Sequence, residues 1–345
     1  MTEADSAFLR RCLIAIALVA VAGALFLMSN LLLLVFAAVV FATILAAMSR
    51  LIARFVRLGP GLSLLVSVLA VFGLLVGIFA LFGAQISNEF ATIRERLPEA
   101  LGVIRAQLEQ WGLGDEVAGL LQQGTGDLAG ILSSAGSYVL TATSGVADFV
   151  LVLVGGIFFA AAPELYRRGL VALVPKRAEA LVGTALDDSG LALHLWLRGQ
   201  IVSMIAVALL TGFGLWLLGV PAAFGLALIA GLLDFIPFIG PLIAAVPAVI
   251  LAFLQGPTTA LWTIVLFLIV QQIQGNFLQP MVQRHAVDVP PAVLLFSVAA
   301  AGVLFGMLGV LLAAPLTVVV YVLVQRLYVK TALGKDIRIA VEEIR

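Results

Sequence analysis

The sequence predicts an all-α protein that crosses a membrane many times, and three observations lead to this prediction. Hydrophobic residues fill 63% of the 345 positions and charged residues only 11%, whereas a soluble domain carries about 25% charged residues. The mean hydropathy is +1.20. The apolar runs are about 20 residues long without the alternation of a β-barrel, so they indicate spanning helices. We expect about eight transmembrane helices plus one re-entrant helical hairpin.

The N-terminal apolar run continues from Cys12 to Met48, far beyond the hydrophobic region of about 7–15 residues in a signal peptide. We interpret it as an uncleaved pair of helices with a turn at Ser29-Asn30. Six spans are uninterrupted, and two longer stretches contain prolines. The six are Cys12–Met28, Leu31–Met48, Gly61–Ala84, Val146–Ala162, Leu195–Leu218 and Thr258–Gln274, and the two interrupted stretches are Ala222–Leu254 and Ala292–Val329.

Basic residues near the ends of the spans predict the orientation. The connectors after the second and fourth spans and the C-terminal tail are rich in Lys and Arg, so we place them, with both termini, in the cytoplasm. Residues 85–145 then lie outside, and they carry three arginines against seven acids. Within them, apolar residues follow a 3.5-residue period, which requires a partner helix. That partner is either Val117–Leu132 of the same chain or another subunit. The seam consists of Ile86, Phe90, Ile93, Leu97, Leu101, Ile104, Leu108 and Trp111.

The orientation also constrains the two interrupted stretches. Ala292–Val329 must cross twice to leave the basic tail inside, whereas Ala222–Leu254 must begin and end on the outer side. The second limb of the latter, Pro241–Leu254, has 14 residues, fewer than the roughly 20 that a span requires. We therefore predict a re-entrant hairpin with its turn at Pro237–Pro241.

Asp234 is predicted to be the only acid deep within an apolar stretch. Pro237, Gly240 and Pro241 interrupt the helix beside it, and broken helix ends within a membrane form ion or substrate sites in transporters. A carboxylate in this position could bind a cation or exchange a proton. The alternative is an acid that caps a helix end or reaches water at the mouth of the hairpin.

Neutral amides follow in the next span. Gln272, Asn276, Gln279 and Gln283 are spaced four, three and four residues apart and form one stripe on a helix. Amides suit a hydrogen-bonding wall for a polar solute, or adhesion between helices. The candidate binding residues are Asp234, Gln271, Gln272, Asn276 and Gln279.

Glycines and one proline mark the last interrupted stretch. Gly302, Gly306 and Gly309 permit close packing or form a mobile gate, and Pro315 is expected to break the second limb. The predicted hinge positions of the whole chain are Pro237, Gly240, Pro241, Pro247, Gly306, Gly309 and Pro315. At the cytoplasmic entry of the fifth span, we expect Arg198, four residues after His194, to reach the interface or to pair with Asp187 or Asp188.

Three ordered motifs resemble the autoinducer-2 exporter family of bacterial permeases. They are Asp-Phe-Ile-Pro-Phe-Ile-Gly-Pro at 234–241 with Pro247 after it, Gln-Gln-Ile-Gln-Gly-Asn-Phe-Leu-Gln-Pro at 271–280, and Leu-Phe-Gly-Met-Leu-Gly at 304–309 with Pro315. The resemblance implies a multi-pass bacterial inner-membrane transporter that forms homo-oligomers. Family members are associated with export of autoinducer-2, and some with sodium(lithium)/proton antiport. They often carry Glu where this chain has Gln274, so any proton-coupled role is expected to fall on Asp234.

The sequence leaves three hypotheses for function. The first is a transporter or exporter of a small polar solute such as a signalling molecule, and the second is a sodium(lithium)/proton antiporter that uses Asp234. The third is a non-transporting scaffold that binds envelope partners through residues 85–145. We expect no enzyme, since the sequence contains no G-x-S-x-G, H-E-x-x-H or Walker A motif.

The chain is expected to consist of five segments. They are a three-helix membrane segment (1–84), an extracytoplasmic helical segment (85–145), two membrane helices with a basic loop (146–218), a transport core (219–330) and a cytoplasmic tail (331–345).

The expected partners are the lipid bilayer, a small polar solute or cation and further copies of the chain. A net charge of zero gives no field that attracts nucleic acid. The single cysteine, Cys12, argues against a thiolate metal cluster, and we expect no metal and no cofactor.

Overall fold

The computed structural model describes residues 27–74, 142–279 and 289–336, with a few isolated positions near the first range. Several predicted features lie outside these residues: most of Cys12–Met28, the end of Gly61–Ala84, the seam in residues 86–111 with its possible partner Val117–Leu132, Gln283, and the tail beyond 336. The five-segment division therefore stays a prediction.

The described elements are helices, which confirms the all-α class. Nine α-helices follow in chain order, and short π-helical segments continue the eighth and the ninth. They are α1 (Ser29–Val56), α2 (Pro60–Leu74), α3 (Ala142–Ala161), α4 (Pro163–Ala172), α5 (Glu179–Leu217), α6 (Ala223–Leu233), α7 (Ile239–Phe253), α8 (Pro257–Ile273) with Gln274–Leu278, and α9 (Pro291–Leu323) with Val324–Ala332.

Four of these elements are long and apolar enough to cross a membrane: Ser29–Val56, Glu179–Leu217, Pro257–Leu278 and Pro291–Ala332. A fifth candidate combines α3 and α4, whose axes are bent by 90°. The predicted span Leu195–Leu218 forms the C-terminal part of the 39-residue helix α5. At 1.5 Å per residue this helix is about 58 Å long, so it extends well beyond a hydrocarbon core of about 30 Å.

The helix is interrupted at Met28, one residue before the turn predicted at Ser29-Asn30. Met28 has φ −91° and ψ 6°, and Ser29 and Asn30 lie in the first turn of α1. On either side of this interruption, Met28 N–H donates to Ala24 O and Leu32 N–H to Met28 O, each at 2.9 Å. The reversal that separates the first two of the eight predicted crossings stays a prediction.

Helices α6 and α7 form a helical hairpin, residues 223–253, which we call hairpin 1. Gln255 Nε2 donates to Gly219 O at 2.6 Å, so the chain returns to the level at which it left α5. The limbs have 11 and 15 residues, about 16 and 22 Å at 1.5 Å per residue. Both are shorter than the hydrocarbon core of about 30 Å.

The turn of hairpin 1 lies at 234–238, three residues before the predicted Pro237–Pro241. Phe238 carries a positive φ of 66°, and α7 resumes at Ile239. Pro241 therefore lies in the first turn of α7, where a backbone N–H would have no acceptor within the helix, so proline costs no hydrogen bond. At Gly240 the backbone packs against the carbonyl of Leu233 so closely that a Cβ would overlap it. Pro247 lies inside α7 without ending it.

Helix α9 is also a hairpin, residues 291–323, which we call hairpin 2. Gly306 has φ 63° and ψ −148°, and a Cβ on Gly309 would overlap the carbonyl of Ala301. Residues eight apart in a straight helix are separated by about 12 Å along the axis, so the chain folds back at Gly306. Pro315, which was expected to break the second limb, is buried inside a continuous helix, so that expectation is wrong.

The reversal at Gly306 changes the interpretation of Pro291–Ala332, whose length and composition alone would suit one span. The first limb, 291–305, has 15 residues, about 22 Å, and is as short as the second limb of hairpin 1. Two full crossings by this stretch stay a prediction, against which the length of this limb argues.

Candidate functional site

Asp234 lies at the C-terminal end of α6, where hairpin 1 turns, and is 2% exposed. Its Oδ1 accepts a hydrogen bond from Gln274 Nε2 at 2.6 Å, and its Oδ2 accepts one from Ser203 Oγ at 3.0 Å. Gln274 Nε2 also lies 3.2 Å from Ser203 Oγ. Gln200 Nε2 donates to the backbone oxygen of Asp234 at 2.7 Å. We call these four residues the Asp234 site.

Three separate elements build the Asp234 site. Helix α5 presents Gln200 and Ser203, which lie three residues apart and so share a face. Hairpin 1 supplies Asp234, and the π-helical segment after α8 begins with Gln274. Single-turn π-helices recur at functional sites, because the wider turn changes the direction of a side chain. A movement of hairpin 1 relative to α5 or α8 would therefore break the hydrogen bonds of the site.

The described partners of the Asp234 carboxylate are neutral amide and hydroxyl groups. A buried carboxylate normally pairs with a cation. Asp188 in the same structure is 1% exposed and lies 2.6 Å from the guanidinium of Arg326. A carboxylate held only by neutral donors can bind a cation from solution, take up a proton, or accept hydrogen bonds from a polar solute.

The described residues of the predicted amide stripe, Gln272, Asn276 and Gln279, do not bind Asp234. Gln272, Asn276 and Gln279 are exposed and Gln271 is partly buried, whereas Gln274 is buried and reaches the carboxylate. Gln274 was not among the predicted binding residues, because its neutral side chain shifted any proton-coupled role to Asp234. The use of the exposed amides as a binding surface stays a prediction.

Sequence reasoning also missed Gln200 and Ser203. The available signal was two polar residues three apart in an otherwise apolar stretch of the fifth span. It was weak, since isolated polar residues in a spanning helix often bond to their own backbone, as Thr263 Oγ1 does with Thr259 O at 2.9 Å.

Of the two alternatives for Arg198, pairing with an aspartate is not found among the described residues, and reaching the membrane interface stays a prediction. Asp187 binds Arg167 at 2.6 and 2.7 Å, and Asp188 binds Arg326 at 2.6 Å, whereas Arg198 is exposed. Asp234 is therefore not the only buried acid among the described residues. The charge of Asp188 is compensated by Arg326, and this distinguishes the two aspartates.

Hydrophobic side chains from the turns of both hairpins pack against one cluster. Phe235 packs edge-on against Trp196 of α5 with ring centroids 5.9 Å apart. Phe235 also belongs to the same hydrophobic cluster as Phe305 and Leu308, which flank Gly306 in hairpin 2. Both hairpin turns thus contribute aromatic or aliphatic side chains to one hydrophobic cluster, and hairpin 1 carries Asp234 at its turn.

Interrupted helices beside a buried polar group are a recurrent construction of secondary transporters, and hairpin 1 has this arrangement at Asp234. The chain matches the model of the AI-2E family transporters over residues 14–328. It belongs to this family. The family is one of transporters and permeases and not of enzymes.

Individual relatives agree with this assignment. The candidate transport protein YueF of Bacillus subtilis is 28% identical over 75% of this chain and 74% of its own length. The candidate transport protein YrrI of the same organism is 31% identical over 46% of this chain and 45% of its own. The AI-2 transport protein TqsA of Escherichia coli is 30% identical over 42% of each chain. The chain thus spans less than half of the length of YrrI and TqsA.

Proposed function

We propose that this protein is a secondary transporter of the bacterial inner membrane that moves a small polar solute past the Asp234 site. The proposal rests on the carboxylate of Asp234, which is 2% exposed, lies at the turn of hairpin 1 and is bound by neutral donors from two other elements. Membership of a transporter family supports it. Autoinducer-2 is one candidate solute, because a relative is named an AI-2 transport protein.

The arrangement of the hairpins supports access to the site from both sides. The open end of hairpin 1 lies at Gly219, beside the C-terminal end of α5. The open end of hairpin 2 lies near the other end of α5, where Val289 and Val322 cluster with Ala192 and Arg326 binds Asp188. The two hairpins therefore enter the molecule from opposite ends of α5.

Opposed re-entrant hairpins would replace the predicted pair of crossings. Hairpin 1 then begins and ends outside, and hairpin 2 begins and ends in the cytoplasm, so the basic tail stays cytoplasmic as the positive-inside rule requires. In this scheme, withdrawal of one hairpin at a time opens Asp234 to one side of the membrane. Homo-oligomeric assembly is compatible with the scheme, since the site is built from a single chain.

The decisive experiment compares the metabolites in the medium of cells that express the wild type, Asp234→Asn or no protein. The asparagine keeps the size of the side chain but removes its charge and one acceptor oxygen. We expect the solute exported by the wild type to fall to the level of cells without the protein, at equal membrane abundance of the two proteins. Undiminished export by Asp234→Asn would overturn the proposal.

Cation/proton antiport through Asp234 is the second candidate, and the neutral partners of the carboxylate favour it. Proteoliposomes loaded with a pH-sensitive dye would then show proton flux on addition of sodium or lithium. The flux should be absent from Asp234→Asn and retained by Asn276→Ala, whose exposed amide does not contact the carboxylate. The absence of sodium- or lithium-induced proton flux in the wild type, or an undiminished flux in Asp234→Asn, would rule out this candidate.

A further inference from the structure

Helix α4 turns sharply away from the membrane-spanning direction of α3. Helix α3 ends at Ala161, Ala162 has a non-helical backbone (φ −138°, ψ 58°), and Pro163 begins α4 with its axis at 90°. Proline suits the first position of a helix, because it lacks the N–H that would have no partner there. A helix perpendicular to a spanning helix lies parallel to the membrane plane.

The side chains of α4 divide into two faces. One face is held against α5: Arg167 forms two hydrogen bonds with Asp187 at 2.6 and 2.7 Å, and Val171 packs beside Gly183. The other face is apolar and mostly exposed, although the ring of Tyr166 also packs edge-on against Phe159 of α3. It consists of Leu165, Tyr166, Leu170 and Leu173, with exposed fractions of 67, 38, 53 and 83%. At 100° per residue these four fall within an arc of about 140°, which we call the leucine arc.

Exposed basic residues accompany the leucine arc. Arg168 of α4 and Lys176 and Arg177 of the following loop are exposed. Glu164 lies 4.0 Å from Arg168, and both side chains are more than two-thirds exposed, so water screens this pair strongly. Apolar residues on one face of an interfacial helix and lysine or arginine beside them are the features that bind anionic lipid surfaces.

We propose that α4 is an interfacial helix that binds anionic phospholipid of the cytoplasmic leaflet. The leucine arc would lie at the boundary between headgroups and acyl chains, and Arg168, Lys176 and Arg177 would bind the phosphates. The right angle to α3 places the helix in the membrane plane, and the positive charge selects anionic over zwitterionic headgroups. The proposal does not depend on the solute, the coupling ion or the Asp234 site.

The test uses the full-length protein with Cys12→Ser and one new cysteine, Leu170→Cys, labelled with a polarity-sensitive fluorophore. The protein is reconstituted into phosphatidylcholine vesicles that contain phosphatidylglycerol. We expect quenching by lipids with brominated acyl chains and protection from aqueous iodide. A label at Glu164→Cys, on the polar side of the same helix, serves as the matched control and should be quenched by iodide.

Lipid selectivity is measured by placing the bromine either on phosphatidylglycerol or on phosphatidylcholine at the same mole fraction. We expect at least twofold stronger quenching by brominated phosphatidylglycerol, and a ratio near one after Arg168→Gln, Lys176→Gln and Arg177→Gln together. Retained total lipid quenching in this triple variant shows that α4 is still folded. Iodide quenching at position 170, protection of this position from both quenchers by a second copy of the chain, or equal quenching by the two lipids would each overturn the proposal.

Discussion

At the scale of the residue, two buried aspartates of one protein have opposite environments. Asp188 lies against the guanidinium of Arg326, whereas the carboxylate of Asp234 is bound by Gln274 and Ser203. In the ion pair, the negative charge of Asp188 is already neutralised by a positive charge of the protein. Neutral donors leave a net charge that a proton, a cation or a polar solute can compensate. This difference is the physical reason for assigning function to Asp234 and a structural role to Asp188.

Gln274→Met tests the role of Gln274, because methionine fills a similar volume but lacks the donor. Asp234 Oδ1 would lose its 2.6 Å hydrogen bond. We expect the free energy of unfolding to fall by about 1.5–3 kcal/mol, the usual value for a hydrogen bond to a charged group. Thermal unfolding in detergent measures the change.

Gln272→Met is the matched control, because Gln272 is exposed two residues away. A surface substitution of this kind changes stability by no more than about 0.5 kcal/mol. Equal effects of the two substitutions would show that the bond between Gln274 and Asp234 does not stabilise the protein.

At the scale of the element, two glycines produce the two hairpin turns by different means. Gly240 provides space, because its backbone lies against Leu233 O and a Cβ would overlap this oxygen. Gly306 provides conformation, because its φ of 63° and ψ of −148° belong to a region that is nearly restricted to glycine. No neighbouring atom lies within 4 Å of a Cβ built on Gly306. Glycine is therefore needed at this position for its backbone conformation and not for space.

We expect Gly240→Ala to destabilise hairpin 1 by about 1–3 kcal/mol or more, since the added methyl group meets backbone that cannot rotate away. Gly190→Ala is the control, because this position lies within α5 with nothing within 4 Å of its Cβ. Alanine is favoured over glycine in a helix by about 1 kcal/mol, so the control should unfold at a slightly higher temperature. A neutral Gly240→Ala would contradict the close contact with Leu233.

Gly306→Ala should cost about 1–3 kcal/mol through backbone strain alone. Gly275→Ala, also free of contacts at its Cβ, provides the comparison. The distance between labels at positions 298 and 313, measured by electron paramagnetic resonance, reports whether hairpin 2 stays closed. A straightened helix would place these positions about 22 Å apart. In the closed hairpin, Val298 and Ala313 belong to the same buried hydrophobic cluster.

At the scale of the whole molecule, the sequence was sufficient for features that composition or length determines. The helical class follows from the apolar runs, and the short second limb of 222–254 indicated a hairpin. Features that depend on tertiary contacts could not be predicted. The pairing of Asp234 with Gln274 joins positions 40 residues apart, and the fold-back at Gly306 depends on one backbone conformation. Pro315 was expected to break the helix, yet the break lies at Gly306, where a residue other than glycine would be strained.

Adjacent aspartates of α5 connect two other parts of the molecule, and they provide the last prediction. Asp187 binds Arg167 of α4, and both side chains are about one-third exposed, at 33% and 36%. Asp188 binds Arg326, beyond the second limb of hairpin 2, with exposed fractions of 1% and 13%. Breaking a buried ion pair costs about 3–5 kcal/mol, because one charge stays buried without its partner, whereas an exposed pair contributes about 0–1 kcal/mol.

We therefore expect Asp188→Asn to lower the unfolding temperature far more than Asp187→Asn, although the two residues are neighbours in sequence. Asp188→Leu combined with Arg326→Met should recover most of the loss, since it removes both charges and keeps the packed volume. Thermal unfolding of the four proteins in the same detergent measures these differences. If the double variant is as unstable as Asp188→Asn, then the packing of Arg326, and not its charge, holds the base of hairpin 2 against α5.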